Sequence, residues 1–390
     1  MRVMNGRMQL GLILALVISA AANGQHIGKY VPIPAGSDAD HATQAINSTT
    51  DPAQKLSLID KFAAELGSGD MALVADEMYV NYYLAAKNYP KTFEYGDKLF
   101  ELDPDNMQNA VSMVRAAAEA NDTDKLLAYG LKVPAIIKRY KAAPAPNGIS
   151  ADQWSSDQKS ALEANTDNLR YVQQAVLFGI EQTKEPAKRA GQLVQFAEGF
   201  AEYPYANEAL GVAAASYQQA QNVPKMLEVA NALLGKDPNN LGMLLLLSDY
   251  YVEKGEQLDK AEAYAKKAAS LADTVKKPEG VSDDQWKQQS TLQKGLALST
   301  LGQVGLQKKD NAGAVTNLVA AAPLLKSNDT SYARNQYRLG FAYLNLKKLP
   351  EAKQALTDAA SVNTPYKQPA LDKLKTLPAK APVTVRKKPA

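Results

Sequence analysis

Histidine and cysteine carry most nucleophilic, proton-shuttling and metal chemistry in proteins, and this chain has two histidines and no cysteine. His26 and His41 both lie near the N-terminus, in or beside a polar stretch, and no second ligand sits near either at metal spacing. Ser-His-Asp and Cys-His nucleophilic sites and the usual zinc sites are thereby excluded from the rest of the chain. No Gly-rich phosphate loop and no Gly-x-Ser-x-Gly elbow occurs. Carboxylates remain. Asp249 and Glu253 are four residues apart, one helical turn, so both face the same way on a helix. That spacing suits an acid/base pair or a cation site, but it is equally ordinary on a solvated helix face, and here it reads as a binding-surface pair. No catalytic residue, cofactor or metal is expected, and the chain reads as a non-enzyme.

What must position such residues is a helical array. Residues 146–154 return as 278–286, an offset of 132, and the two tryptophans of the chain, Trp154 and Trp286, are copies of one position. Residues 86–106 align without gaps on 220–240, an offset of 134, with 9 of 21 positions identical. An internal repeat of this length built from shorter helical units marks a solenoid. In the tryptophan blocks Ser150 and Ser282 suit N-caps, with Gln153 and Gln285 completing capping boxes. Ile149 and Val281 are placed to staple against the two tryptophans. Asp51-Pro52-Ala53-Gln54 opens a helix by the same logic, and in Asp103-Pro104-Asp105-Asn106 and Asp237-Pro238-Asn239-Asn240 the proline ends one helix while an Asp or Asn can cap the next.

Several of these units resemble tetratricopeptide repeats, helix–turn–helix units of about 34 residues. Leu339-Gly340, Tyr343, Ala352, Leu356 and Ala359 fall at the family's spacing, as do Leu301-Gly302, Ala314, Leu318 and Ala321. Tyr83, Leu99 and Pro104 fit an earlier unit, Tyr217, Leu233 and Pro238 its copy, and Tyr251, Ala261 and Ala268 fit with one residue inserted. The expected fold is all-α, a right-handed helical solenoid of about eight such hairpins carrying the duplication of 132–134 residues. Residues 39–204 form the first block and 205–376 the second.

The ends read differently. Arg2 and Arg7 precede an uncharged, largely apolar run over residues 10–22 and then Asn23-Gly24, so residues 1–24 read as a secretory signal peptide, too short an apolar run to span a bilayer comfortably. Residues 25–38, with Pro32, Pro34, Gly28 and Gly36, read as a linker. Residues 377–390 read as a disordered tail whose Lys380, Arg386, Lys387 and Lys388 can contact an anionic envelope surface. The net charge of +3 loses Arg2 and Arg7 with the leader, leaving 42 − 41 = +1, which speaks against nucleic acid. An exported chain without cysteines has no disulfide framework and relies on its core.

The resemblance implies that the first helix of each pair lines an inner groove where peptides bind. The positions pointing inward on this basis are Glu77, Asn81, Arg115, Asp249, Glu253, Arg334, Tyr337, Phe341 and Asn345. Glu77 stands where the family's chaperone-binding members place a clamp lysine, so that clamp is absent. The leading expectation is a non-enzymatic adaptor, bacterial, periplasmic or at the cell surface, that holds a protein or peptide partner. A second reading is a module for cell-wall or glycan material that uses the basic tail and exposed tyrosines. A wall-cleaving hydrolase is the remote one, since the repeats leave no room for a catalytic domain. N-terminal sequencing of the mature protein should find a chain that begins just after Ala22 or Gly24; a chain beginning at Met1 would exclude cleavage.

Overall fold

In the computed structural model the described residues are 26–277 and 280–378, and all regular structure among them is helical. They fall into two compact units, one running to residue 184 with 195–203, the other comprising 185–194 and everything from 204 on. The expected leader and the four basic tail residues lie outside the described residues.

The first unit opens with α1 (Asp38–Ser48) and α2 (Pro52–Glu65), then α3 (Met71–Ala85) and α4 (Tyr89–Leu102), then α5 (Met107–Glu119) and α6 (Thr123–Gly130). α7 (Lys132–Ala142), α8 (Ala151–Ala164) and α9 (Thr166–Glu181) follow, and α10 (Pro186–Gly199) falls across the division between units. The second unit holds α11 (Ala206–Gln219), α12 (Val223–Lys236), α13 (Leu241–Lys254), α14 (Leu258–Leu271), α15 (Asp283–Gln307), α16 (Asn311–Ala321), α17 (Asp329–Asn345), α18 (Leu349–Ser361) and α19 (Lys367–Lys375). Antiparallel neighbours pack as hairpins, three in the first unit (α1–α2, α3–α4, α5–α6) and four in the second (α11–α12 through α17–α18). First helices also touch first helices of the next pair, α3 with α5, α13 with α15 and α15 with α17, and α5 also touches α9. This is a tetratricopeptide-like helical solenoid.

The residues that carried the resemblance make the hairpin contacts. Leu99, Leu233, Ala261, Ala268, Ala314, Leu318, Ala321, Ala352, Leu356 and Ala359 are all buried to 1% exposure or less. A β-carbon on Gly340 would lie 2.6 Å from Leu356, and one on Gly302 would lie 2.3 Å from Leu318. Absence of that atom lets the paired helices close on one another.

One turn recurs inside the hairpins. The first helix ends in a residue with positive φ: Lys87 (55°), Asn121 (55°), Gln221 (57°), Lys309 (64°) and Lys347 (60°). In the α3–α4 and α11–α12 hairpins the following amide bonds five residues back, Asn88 N to Tyr83 O and Asn222 N to Tyr217 O, both at 2.9 Å. This is the Schellman closure. Asn88, Asp122, Asn222 and Asp310 then cap the second helix through their side chains. The α13–α14 turn, with its inserted residue, uses Gly255 (68°) and Gln257 (45°) instead.

The turns between hairpins copy each other across the duplication. Asp103 accepts from Asp105 N and Asp237 from Asn239 N, while Asn106 and Asn240 cap α5 and α13. The tryptophan blocks agree less closely. Ser282 and Gln285 form the full capping box at the start of α15. Ser150 caps α8, but the Gln153 amide turns to Asp157 instead of closing the box, and Ile149 stays exposed. Trp154 is held by α7, its indole N–H donating to Ala143 O (2.9 Å) with the ring edge-on to Tyr140. α15 is one continuous helix of 25 residues, whereas its counterpart is interrupted between α8 and α9 at Asn165, whose side chain bonds Ala161 O.

The stretch read as a linker is an arm laid on the first unit. Ile27 is 2% exposed, its carbonyl accepts from Met107 N, and Lys29 N donates to Asp103 at 2.7 Å. Gly28, at φ +121°, passes so close that a β-carbon would lie 2.6 Å from the Asp103 carboxylate. The glycine content that suggests looseness in the sequence is what allows this approach.

A residue with a β-carbon in the left-handed region is strained relative to glycine. Gln221→Gly should therefore stabilise the chain by about 0.5–1 kcal/mol, read as a raised urea midpoint at unchanged m-value.

Candidate functional site

The second unit carries six of the nine expected residues on two first helices that flank α15. Asp249 and Glu253 stand on α13, and Arg334, Tyr337, Phe341 and Asn345 on α17. Arg334 Nη1 donates to Asp249 at 3.0 Å. One turn further along both helices, Arg338 donates to Glu253. Arg338 is buried, lies 3.9 Å from the second Asp249 oxygen, and also reaches Ser299 Oγ and O on α15 at 3.3 and 3.4 Å. The four charges thus strap three consecutive first helices together.

Their electrostatics follow from burial. Burial, then the like charge of Arg334, holds the Arg338 guanidinium below its ordinary value. Burial also opposes the charge on Arg334, but Asp249 outweighs it through its charge and hydrogen bond and carries that group above its ordinary value. Burial raises Tyr366, which sits near both arginines. Two cations meet two anions, so the cluster is balanced and is not a free anion site. Asp249 Oδ1 has no hydrogen-bond donor among the described residues.

Beside this strap lies a cavity of about 310 Å³ lined by Gln303, Leu306, Gln307, Tyr337, Arg338, Phe341 and Asn345. Tyr337 and Phe341 meet edge to face at 4.9 Å, Tyr366 packs on Tyr337, and the Lys373 ammonium lies 5.2 Å from the Phe341 ring. Asn345 donates to Asn311 (2.8 Å) and Gln307 to Val252 O (2.6 Å), leaving amide oxygens at this end of the helices.

The other three expected residues are in the first unit and are not all together. Glu77 and Asn81, one turn apart on α3, line a second cavity of about 340 Å³. Arg115 on α5 is elsewhere, its guanidinium 5.8 Å from the Tyr171 ring of α9. Sequence reasoning missed Arg338, Gln303 and Gln307. A signal for Arg338 existed: the acids at 249 and 253 and the arginines at 334 and 338 share one spacing of four, so each acid–arginine pair is 85 residues apart. Among the described residues no group of three or more potential metal ligands occurs, and no helix is long and apolar enough to cross a membrane.

No family model matches the chain and no curated protein does. Solved structures that it resembles include the following three. The APC/C hetero-tetramer Cut9–Hcn1 is 14% identical over 87% of this chain and 62% of that one, with a TM-score of 0.42. The TPR domain of P58(IPK) is 12% identical over 87% and 98%, with a TM-score of 0.29. Yeast Tom70 is 11% identical over 86% and 94%, with a TM-score of 0.30. The chain thus spans less than two thirds of the first of these.

Removing one partner of a buried ion pair leaves an uncompensated charge. Asp249→Asn strips Arg334 of its counter-ion and should cost about 3 kcal/mol in chemical denaturation. Glu253→Gln, at a half-exposed carboxylate, should cost clearly less.

Proposed function

We propose that this chain is a non-enzymatic, exported scaffold that binds a protein or peptide partner on the first-helix face of its second unit. The observation that carries this reading is the cavity beside the ion strap. It combines an aromatic pair with side-chain amides on helices tied to one another by Arg334 and Arg338. Such a surface is rigid, and rigidity lowers the ordering cost of binding. Aromatic faces take an apolar side chain, while Gln303, Gln307 and Asn345 suit the N–H and C=O groups of an extended backbone. Because the arginines are already neutralised, the recognition is of shape and amides more than of charge. Extended arrays of this kind commonly serve as binding surfaces, and the absence of cysteine and the two peripheral histidines fit a binding role. Export rests on the leader pattern of residues 1–24.

The test is affinity capture from envelope extract with the mature chain as bait. One or a few proteins at fixed ratio are expected. The double variant Phe341→Ala/Asn345→Ala should lose them by at least tenfold while its melting curve stays cooperative. Undiminished capture by that variant would remove this face from the function. Retention of wall fragments alone would favour the glycan reading.

A further inference from the structure

The cavity of the first unit has a different character. Its walls come from the arm (Ile33), α1 (Thr43, Ile46), α2 (Lys55, Ile59) and α3 (Val74, Glu77, Met78, Asn81). It reaches the surface at Pro52, Ala85 and Ala86, which are exposed. Most of the lining is aliphatic, yet two opposite charges stand in it on different helices. Glu77 and Lys55 are both half-buried, and neither is ion-paired with the other or with any other described residue. The Glu77 carboxylate has one protein hydrogen bond, from the Asn106 amide at 3.0 Å. Asn81, one turn further on, has no hydrogen-bond partner among the described residues.

A half-buried carboxylate in an apolar cavity is a costly arrangement unless a cation reaches it. The same holds for the ammonium of Lys55 and an anion. A ligand with an ammonium at one end, a carboxylate at the other and aliphatic surface between them answers all three features of the lining. We infer that this cavity binds a short zwitterionic peptide with aliphatic side chains, its free ammonium against Glu77 and its free carboxylate against Lys55. The Asn81 amide serves the peptide bond between the two ends. Ile46, Ile59 and Met78 take the side chains, for which a volume of about 340 Å³ is ample. The burial that raises the Glu77 carboxyl above its ordinary value acts in the same direction, since an arriving ammonium relieves it. The site lies in the first unit and is independent of the partner surface assigned to the second.

The experiment is calorimetric titration of the full chain with leucyl-leucine and its capped forms. Free Leu-Leu should bind, and N-acetylation or C-terminal amidation should each weaken it at least tenfold. In Glu77→Gln, whose amide oxygen can still accept from Asn106, free Leu-Leu should lose at least tenfold and acetylation should then make little further difference. Lys55→Met should do the same for amidation. Doubly capped Leu-Leu binding as tightly as the free dipeptide would overturn the charge assignment. Absence of Leu-Leu binding to the wild-type chain at millimolar concentration would overturn the site. The ligand series alone decides the question if either variant fails to fold.

Discussion

Everything functional in this molecule depends on how closely two helices of a hairpin can approach. Where Gly340 meets Leu356 and Gly302 meets Leu318, the missing β-carbon brings the backbone of one helix onto the side chains of the other. Fully buried alanines at 261, 314, 352 and 359 do the same at neighbouring positions. Close packing of this kind leaves few voids and little freedom of rotation. Each first helix therefore presents a fixed face, and residues one turn apart on it become a surface that the next first helix can extend.

The ion strap is built on that constraint. Arg338 is almost wholly inside the protein, an expensive place for a charge. It is tolerable because α13, α15 and α17 are held at spacings that deliver Glu253, Asp249 and Ser299 to one guanidinium. A buried charge cluster of this sort contributes less to net stability than to geometry, because any other arrangement of these helices would leave Arg338 unpaired. The aromatic and amide residues beside it inherit that order.

What the sequence made legible was local. Asp103-Pro104 and Asp237-Pro238 announce their turns because proline cannot continue a helix and the aspartate can satisfy free amides. Ser282 with Gln285 announces a helix start for the same kind of reason. The turns inside the hairpins were not legible: a Schellman turn is normally signalled by glycine, and here Lys87, Gln221, Lys309 and Lys347 adopt the left-handed conformation instead. The second helix holds them there, with an Asn or Asp cap after Lys87, Gln221 and Lys309 and none after Lys347, so the tertiary contact decides. The arm shows the complementary failure. Residues rich in proline and glycine look unstructured until Asp103 and Met107, 74 and 80 positions away from Lys29 and Ile27, supply the partners.

The nine inward positions divide along the same line. Spacing within one helix placed Glu77 beside Asn81 and Asp249 beside Glu253 correctly, since a helical turn is a local property. It could not say whether those side chains face solvent, a cavity or one another. Asp249 and Glu253 turn out to be half of a balanced cluster, while Glu77 carries its charge into an apolar cavity without a counter-ion. Two carboxylates that look alike in sequence therefore have opposite capacities. The first pair has spent its charge on holding helices, so the surface beside it recognises shape and amides. Glu77 keeps its charge available, so whatever enters its cavity must bring a cation. The difference lies in the partners: the second unit offers Arg338 at the fourth position after Arg334, whereas Glu77 receives its one hydrogen bond from the neutral amide of Asn106 and is ion-paired with no described residue, though His26 of the arm acts on it through its charge.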